Sequence, residues 1–216
     1  MKIYAKAKYR NLNGIVVPSV TTALGELNKP ALIGWANKMG LKGIDINKFK
    51  DHTADIGVLT HDMIICSLQG FDPDFSEYTP EQVESAIECF KKFEDWQKRN
   101  PVQSILAEHA LVSERYQYGG QIDLYAICGK ELVLADFKTS ATGIFPEMIY
   151  QVAAYRQLLD EHGYGITKAL ILRLGRGTAE GADEKILTSK EMDHGFEIFM
   201  HTLAIYKLKQ QENSRD

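Results

Sequence analysis

Residues 121–128 and 131–138 carry apolar side chains at both alternating sets of positions: Ile122, Leu124, Ala126, Val133 and Ala135 in one set, Tyr125, Ile127, Leu132 and Leu134 in the other. A strand apolar on both faces belongs inside a sheet that is covered on both sides. Gly129-Lys130 between the runs fits the Gly-X order of a two-residue hairpin turn. The pattern therefore predicts an antiparallel hairpin in which Leu124 faces Ala135. One step further along, the same register sets Asp123 opposite Asp136, with Lys138 on the face of Asp136 and Phe137 pointing the other way.

The flanking elements follow from the same reading. Met1 to Arg10 alternates and predicts a strand, and Asn13-Gly14 predicts a hairpin returning through Ile15 to Val17. Ser19 is placed to cap a short helix reaching Leu27, and Pro30 to open another that contains Leu32, Trp35 and Met39. Trp35 is expected as a core anchor. Asp55 to Leu68 predicts a helix on which Gly57 and His61 lie one turn apart. A helix-interior glycine costs about 1 kcal/mol relative to alanine, so Gly57 predicts close approach of another element or ligand beside His61. Phe71 to Tyr78 reads as a loop. Thr79, Pro80 and Gln82 then open a packing helix to Arg99, with Val83, Ile87, Phe90 and Phe93 or Trp96 as its stripe.

Residues 103–114 alternate as a strand, with Glu108 near the middle either as an exposed strand glutamate or as an additional carboxylate for a metal. Pro146 to Asp160 predicts a helix that stops near Gly163. Gln151 and Tyr155 lie one turn apart beside its stripe of Met148, Val152 and Leu159, aimed at the hairpin. Lys168 to Leu174 is another strand, and Gly175 to Asp183 an exposed turn into a short strand near Lys185 to Leu187. Arg173 and Arg176 read as surface residues, with a phosphate contact as the alternative. Ser189 is placed to cap a last helix, Lys190 to Lys209, docked through Met192, Phe196, Phe199, Leu203 and Tyr206.

Composition narrows the chemistry. A chain of 216 residues and 24.3 kDa without a legible linker is expected to form one domain over residues 1–216. Its net charge of −4 supplies no global basic field, so any nucleic-acid contact must come from local patches. Cys66, Cys89 and Cys128 are dispersed in apolar runs, which supports neither a disulfide framework nor a cysteine-ligated metal. No run is long enough to span a membrane and no signal-peptide order stands at the start, so a cytoplasm-like compartment and no membrane partner are expected.

The facing aspartates are the feature that calls for chemistry. Opposite residues have Cβ atoms roughly 4.5–5.5 Å apart, and like charges placed there destabilise a sheet unless something neutralises them. A hard divalent cation would do so through one or two carboxylates while keeping several waters. A purely structural network of Asp123, Asp136 and Lys138 would account for the lysine but leave His61 and Gln151 without a task.

In this order, Gly57-x-x-x-His61, Gly120-x-x-Asp123, Asp136-x-Lys138 and Gln151-x-x-x-Tyr155 resemble the motifs of the PD-(D/E)XK nuclease superfamily. The nearest likeness is to its RecB/Cas4-like branch, which includes phage-type exonucleases. Val17 to Thr22 and Leu32 to Trp35 are similar to that branch's N-terminal region. The proline that names the superfamily is absent beside Asp123, where Gln121-Ile122 stands. The cysteines that bind an iron–sulfur cluster in many Cas4-like members are also absent, so none is expected.

The resemblance implies an α/β (α+β) restriction-endonuclease-like core, a central mixed β-sheet flanked by α-helices. It implies Mg²⁺ or Mn²⁺ held by His61, Asp123, Asp136 and the backbone carbonyl of Phe137. It also gives catalytic roles to Asp123, Asp136, Lys138, Gln151 and Tyr155. The activity implied is metal-dependent hydrolysis of DNA, more often exonucleolytic, in recombination, repair or phage DNA processing, with a recombination or phage replication partner. The alternative is a nucleic-acid-binding or assembly protein that keeps the scaffold without turnover.

Overall fold

The computed structural model describes residues 9–213; the strand expected from Met1 lies mostly outside them. Eleven helices and strands follow in the order α1 (Val20–Leu24), α2 (Pro30–Gly40), α3 (Ile46–Gln69), α4 (Pro80–Arg99), β1 (Val102–Ser113), β2 (Tyr118–Cys128), β3 (Glu131–Lys138), α5 (Pro146–Glu161), β4 (Lys168–Leu174), β5 (Ala182–Leu187) and α6 (Ser189–Asn213). The strands form one five-stranded sheet in the order β1-β2-β3-β4-β5. All pairs are antiparallel except β3–β4, which is parallel and needs the crossover that α5 provides. This is the mixed α/β architecture expected, a restriction-endonuclease-like core.

Each face of the sheet is covered by helices. Tyr125, Leu134 and Ile171 pack with Val152, Tyr155 and Leu158 of α5 and with Phe199 and Leu203 of α6. On the opposite face Leu124, Ala126, Val133, Ala135 and Phe137 meet Ile64 of α3 and Cys89, Phe93 and Trp96 of α4. The three cysteines are free thiols. Among the described residues no helix is long and apolar enough to cross a membrane.

The β2–β3 register is the expected one, with Leu124 opposite Ala135 and Cys128 opposite Glu131 around Gly129 at φ +62°. The hairpin at Asn13-Gly14 also forms: Arg10 bridges to Val16 and Gly14 sits at φ +76°.

Several expectations are corrected. Ile122 does not share a face with Leu124 but packs with Tyr118 and Leu134 on the α5 side. The alternation slips between them, and Leu106 and Leu111 on β1 likewise share the α5 side despite their odd spacing. Glu108, between those two, holds φ +44°, a left-handed conformation that interrupts the pleat of β1, and the β1–β2 register itself shifts between Ser104 and Leu106. The third helix starts at Ile46, not Asp55, where the Asp45 carboxylate caps the amides of Asn47 and Lys48. Its first half is largely polar and solvated, so no apolar stripe announced it. Helix α1 ends at Leu24, short of Leu27, as Gly25 N–H turns back to Thr21 and Thr22. The cap of α6 is Thr188 rather than Ser189: Thr188 Oγ1 accepts from Glu191 N, and Glu191 Oε2 accepts from Thr188 N. Trp35 is no core anchor. Helix α2 has no buried residue, and Trp35 rests half-exposed on Phe49, ring centroids 5.8 Å apart.

Candidate active site

Past the Leu124–Ala135 pair the hairpin opens as a fork. Asp123 Oδ2 accepts the backbone N–H of Phe137 at 2.7 Å, replacing the main-chain partner that β2 would have offered. Asp123 and Asp136 thus stand on the two prongs, both buried. Asp136 is fully shielded from solvent; its Oδ2 pairs with Lys138 Nζ at 2.5 Å, while its Oδ1 has no partner. An ionisable group in that condition is costly in a folded protein.

His61 enters from α3. Its Nδ1 lies 2.9 Å from Glu108 Oε1 and 3.7 Å from Asp123 Oδ1, while its Nε2 lies 3.2 Å from the Phe137 carbonyl oxygen. The close approach beside it is real: a Cβ on Gly57 would stand 3.2 Å from Thr139 Oγ1, in the loop that leaves Lys138. From the other face, α5 supplies Tyr155, whose hydroxyl accepts from Gln151 Nε2 at 2.8 Å. A Cβ on Gly120 would meet the Tyr155 ring at 2.6 Å, so glycine there lets the ring lie on the β2 backbone.

The electrostatics follow from crowding acids in a buried fork. Burial raises the Asp123 carboxyl above its usual range; His61 opposes that, while Asp136 and Glu108 add to it. Burial works against the charged form of His61, but Asp123 and Glu108 outweigh it and hold the imidazole at about 9. For Lys138, burial is likewise overcome by Asp136 and Asp123, and the pKa rises. Burial and then the two aspartates push the Tyr155 phenol well above its ordinary value, so it stays protonated.

His61, Glu108 and Asp123 offer ligand atoms within 4.8 Å of one another. Asp136 stands outside that group, its Oδ2 turned to Lys138 and its Oδ1 without a partner. Carboxylate oxygens, a backbone carbonyl and one imidazole are the donors that a hard divalent cation takes, and there is no thiolate among them. The donor set and the unpartnered Asp136 Oδ1 fit a Mg²⁺ or Mn²⁺ ion.

Two residues went unassigned in the sequence and one was undervalued. Gln121 Nε2 donates to Glu108 Oε2; a polar residue two positions before Asp123 in an otherwise apolar strand was its only signal. Glu108 is no exposed strand glutamate, since its side chain is 6% exposed. Tyr9 lays its ring against Gly119, where a Cβ would come within 2.6 Å of it. Arg173 and Arg176 are not available surface cations. Arg173 is buried and holds Asp183 Oδ2 at 2.6 Å, Ser140 O at 3.1 Å and Gly181 O at 3.2 Å, while Arg176 Nε donates to Thr139 O at 2.5 Å. Together they pin the loop that follows Lys138.

A mixed sheet between helical layers, with an acidic fork at the open end of its central hairpin, defines the restriction-endonuclease-like class. Among solved structures, a putative exonuclease from Eubacterium rectale shares this fold with a TM-score of 0.52 at 13% identity, over 73% of this chain and 68% of that one. An alkaline exonuclease from Laribacter hongkongensis aligns more loosely, with a TM-score of 0.37 at 12% identity over 73% of this chain and 84% of that one. No family model and no curated protein matches the sequence. At these identities the likeness is one of fold.

Proposed function

We propose that this chain is a divalent-metal-dependent DNA nuclease of the RecB/Cas4-like branch, hydrolysing phosphodiester bonds as an exonuclease in recombination, repair or phage DNA processing. The observation that carries the reading is Asp136: fully buried, with Oδ2 paired to Lys138 and Oδ1 without a partner, across the fork from Asp123. A purely structural ion-pair network would satisfy both oxygens; a site built for a cation leaves one for it, as Oδ1 is left here. The exonuclease name of a structural neighbour with the same fold points the same way.

Mg²⁺ or Mn²⁺ held by His61, Asp123, Asp136 and the Phe137 carbonyl would polarise the scissile phosphate and make water a better nucleophile. Lys138 carries its ammonium at the same mouth, where it stabilises negative charge as that charge develops on phosphate oxygens. Gln151 holds the Tyr155 hydroxyl, and the pair orients Lys138 and the nucleic-acid backbone from the α5 side. The substrate is DNA, with ends as the attacked feature. The protein works in a bacterial or phage-infected cytoplasm beside a recombination or phage replication partner.

End-labelled linear DNA and covalently closed circles, each incubated with Mg²⁺, Mn²⁺ or EDTA, test this. Metal-dependent loss of linear DNA alone, absent in Lys138→Ala, is expected. Cleavage of closed circles would convert the reading to an endonuclease, and intact DNA under every metal would overturn it.

A further inference from the structure

Residue Glu108 is held in a conformation that L-residues avoid. Its φ of +44° falls in the left-handed region, and strain of this kind, about 1–3 kcal/mol, persists only where surrounding structure imposes it. The position is also unusual in its partners. By the β1–β2 register, Ala107 faces Leu124 and His109 faces Ile122, so Glu108 is the residue opposite Asp123. Its carboxylate is almost wholly buried, and both oxygens are engaged: Oε1 with His61 Nδ1 at 2.9 Å, and Oε2 with the Gln121 amide.

A neutral imidazole has one N–H and one lone pair, so whichever nitrogen donates determines which can bind a cation. Two carboxylates, Glu108 and Asp123, lie around Nδ1, whereas Nε2 lies on the side of the Phe137 carbonyl. Nε2, 3.2 Å from a carbonyl oxygen that can only accept, donates there in the metal-free protein; a bound cation would take the place of that proton beside the Phe137 carbonyl while the Nδ1–H stays on Glu108. Histidines that ligate metals generally donate their other ring N–H to a carboxylate or carbonyl in this manner. Gln121 completes the support, because its amide is the donor that keeps Glu108 aimed at Nδ1.

We propose that Glu108, locked by Gln121, is a positioning residue that sets the tautomer and ring plane of His61 for binding a divalent cation. The proposal rests on the metal site argued above, and it accounts for the strained β1 backbone, for the buried glutamate, and for a glutamine two residues before Asp123. Pulling Glu108 inward on β1 is what interrupts the strand's alternation.

The test measures Mn²⁺ affinity by electron paramagnetic resonance without DNA, in the wild type, Glu108→Ala, Glu108→Gln and Gln121→Met, with circular dichroism to confirm folding. Glu108→Ala should weaken binding about 10–100-fold. Glu108→Gln, whose carbonyl still accepts from Nδ1, should recover most of that loss, and Gln121→Met should fall between them. In ¹⁵N spectra of the Mg²⁺-loaded protein, His61 should be protonated at Nδ1 in the wild type and mixed in Glu108→Ala. Wild-type affinity in Glu108→Ala would overturn the proposal. So would equal losses in Glu108→Ala and Glu108→Gln with the tautomer unchanged, since Glu108 would then be a ligand itself. A wild type that binds no Mn²⁺ would remove both this inference and the metal reading. Variants that lose affinity in a protein that cuts no DNA would sink the nuclease reading alone.

Discussion

Helix α2 and the β2–β3 hairpin are both rich in large apolar residues, yet they end in opposite environments. In the hairpin Leu124, Ala126, Val133, Leu134 and Ala135 are buried to the last few per cent. In α2 no residue is buried, and Leu32 and Ile33 remain 53% and 72% exposed. The hairpin has two helical layers to close on it, α5 and α6 on one face and α3 and α4 on the other. Helix α2 meets the start of α3 through the Trp35–Phe49 ring contact, and Lys29, just before it, pairs with Glu147 in the first turn of α5 at 3.0 Å. Apolar content states what a segment gains by burial, while the neighbours decide whether it is buried. The same contrast governs polar groups: in the hairpin a single carboxylate is a chemical commitment, whereas charges on α2 are solvated.

The contrast can be broken or sharpened by substitution. The largest effect is expected at Asp136. Asp136→Ala should lower DNA cleavage by about 10³-fold or more. Its metal-free melting temperature should fall as well, because the substitution leaves the buried Lys138 ammonium without the carboxylate 2.5 Å away. A digestion assay beside thermal unfolding in EDTA checks both, and full activity would refute the site assignment.

Next comes a matched pair of aromatic truncations. Phe93, fully buried against Phe137, Phe90 and Trp96, should cost about 3–5 kcal/mol as Phe93→Ala. Trp35→Ala on α2 should cost less than about 1 kcal/mol. Urea unfolding of the two variants reads the difference, and equal losses would show that α2 is docked more firmly than its exposure implies.

Gly120→Ala tests the tight seam between hairpin and α5. Its new Cβ would stand 2.6 Å from Tyr155 Cε1, so the ring must move. A loss of about 1–3 kcal/mol in urea unfolding is expected, with impaired cleavage as Tyr155 shifts from its place beside the aspartates. The smallest effect lies farthest from the site. Glu191→Ala removes the reciprocal cap of α6 and should cost about 1 kcal/mol. The Glu191 carboxyl is lowered to about 2, chiefly by its hydrogen bond with Lys185 and then by those with Thr188. A depressed folded-state pKa stabilises above the unfolded value of about 4.5 and loses that contribution as pH falls through about 2. The variant's deficit should therefore shrink across that window.

Local rules carried far in this chain because they act over few residues. Gly129-Lys130 and the double-sided apolar runs defined the hairpin and its register, Thr79-Pro80 and Gln82 marked the start of α4, and Gly57 correctly announced a crowded neighbour for His61. Trp35 misled because aromatic bulk signals burial only when a second layer exists to receive it. Arg173 misled in the other direction: a charge on a central strand became a buried tie among Asp183, Ser140 and Gly181. Glu108 was visible as a candidate, but its role depended on the slip in β1 that sets it opposite Asp123.

The sequence by itself determined the elements, the hairpin register and the order of the residues with chemistry to offer, since each rests on turn preferences and periodicities that a few neighbouring residues express. Only the tertiary structure decided that the fork opens beyond Leu124, that Asp136 pairs with Lys138 and keeps one oxygen unsatisfied, and that Glu108 and Gln121 close around His61. Those facts arise from contacts among α3, β1, β2 and β3, segments far apart in the chain. Their geometry is set by how whole layers pack, which no local pattern encodes.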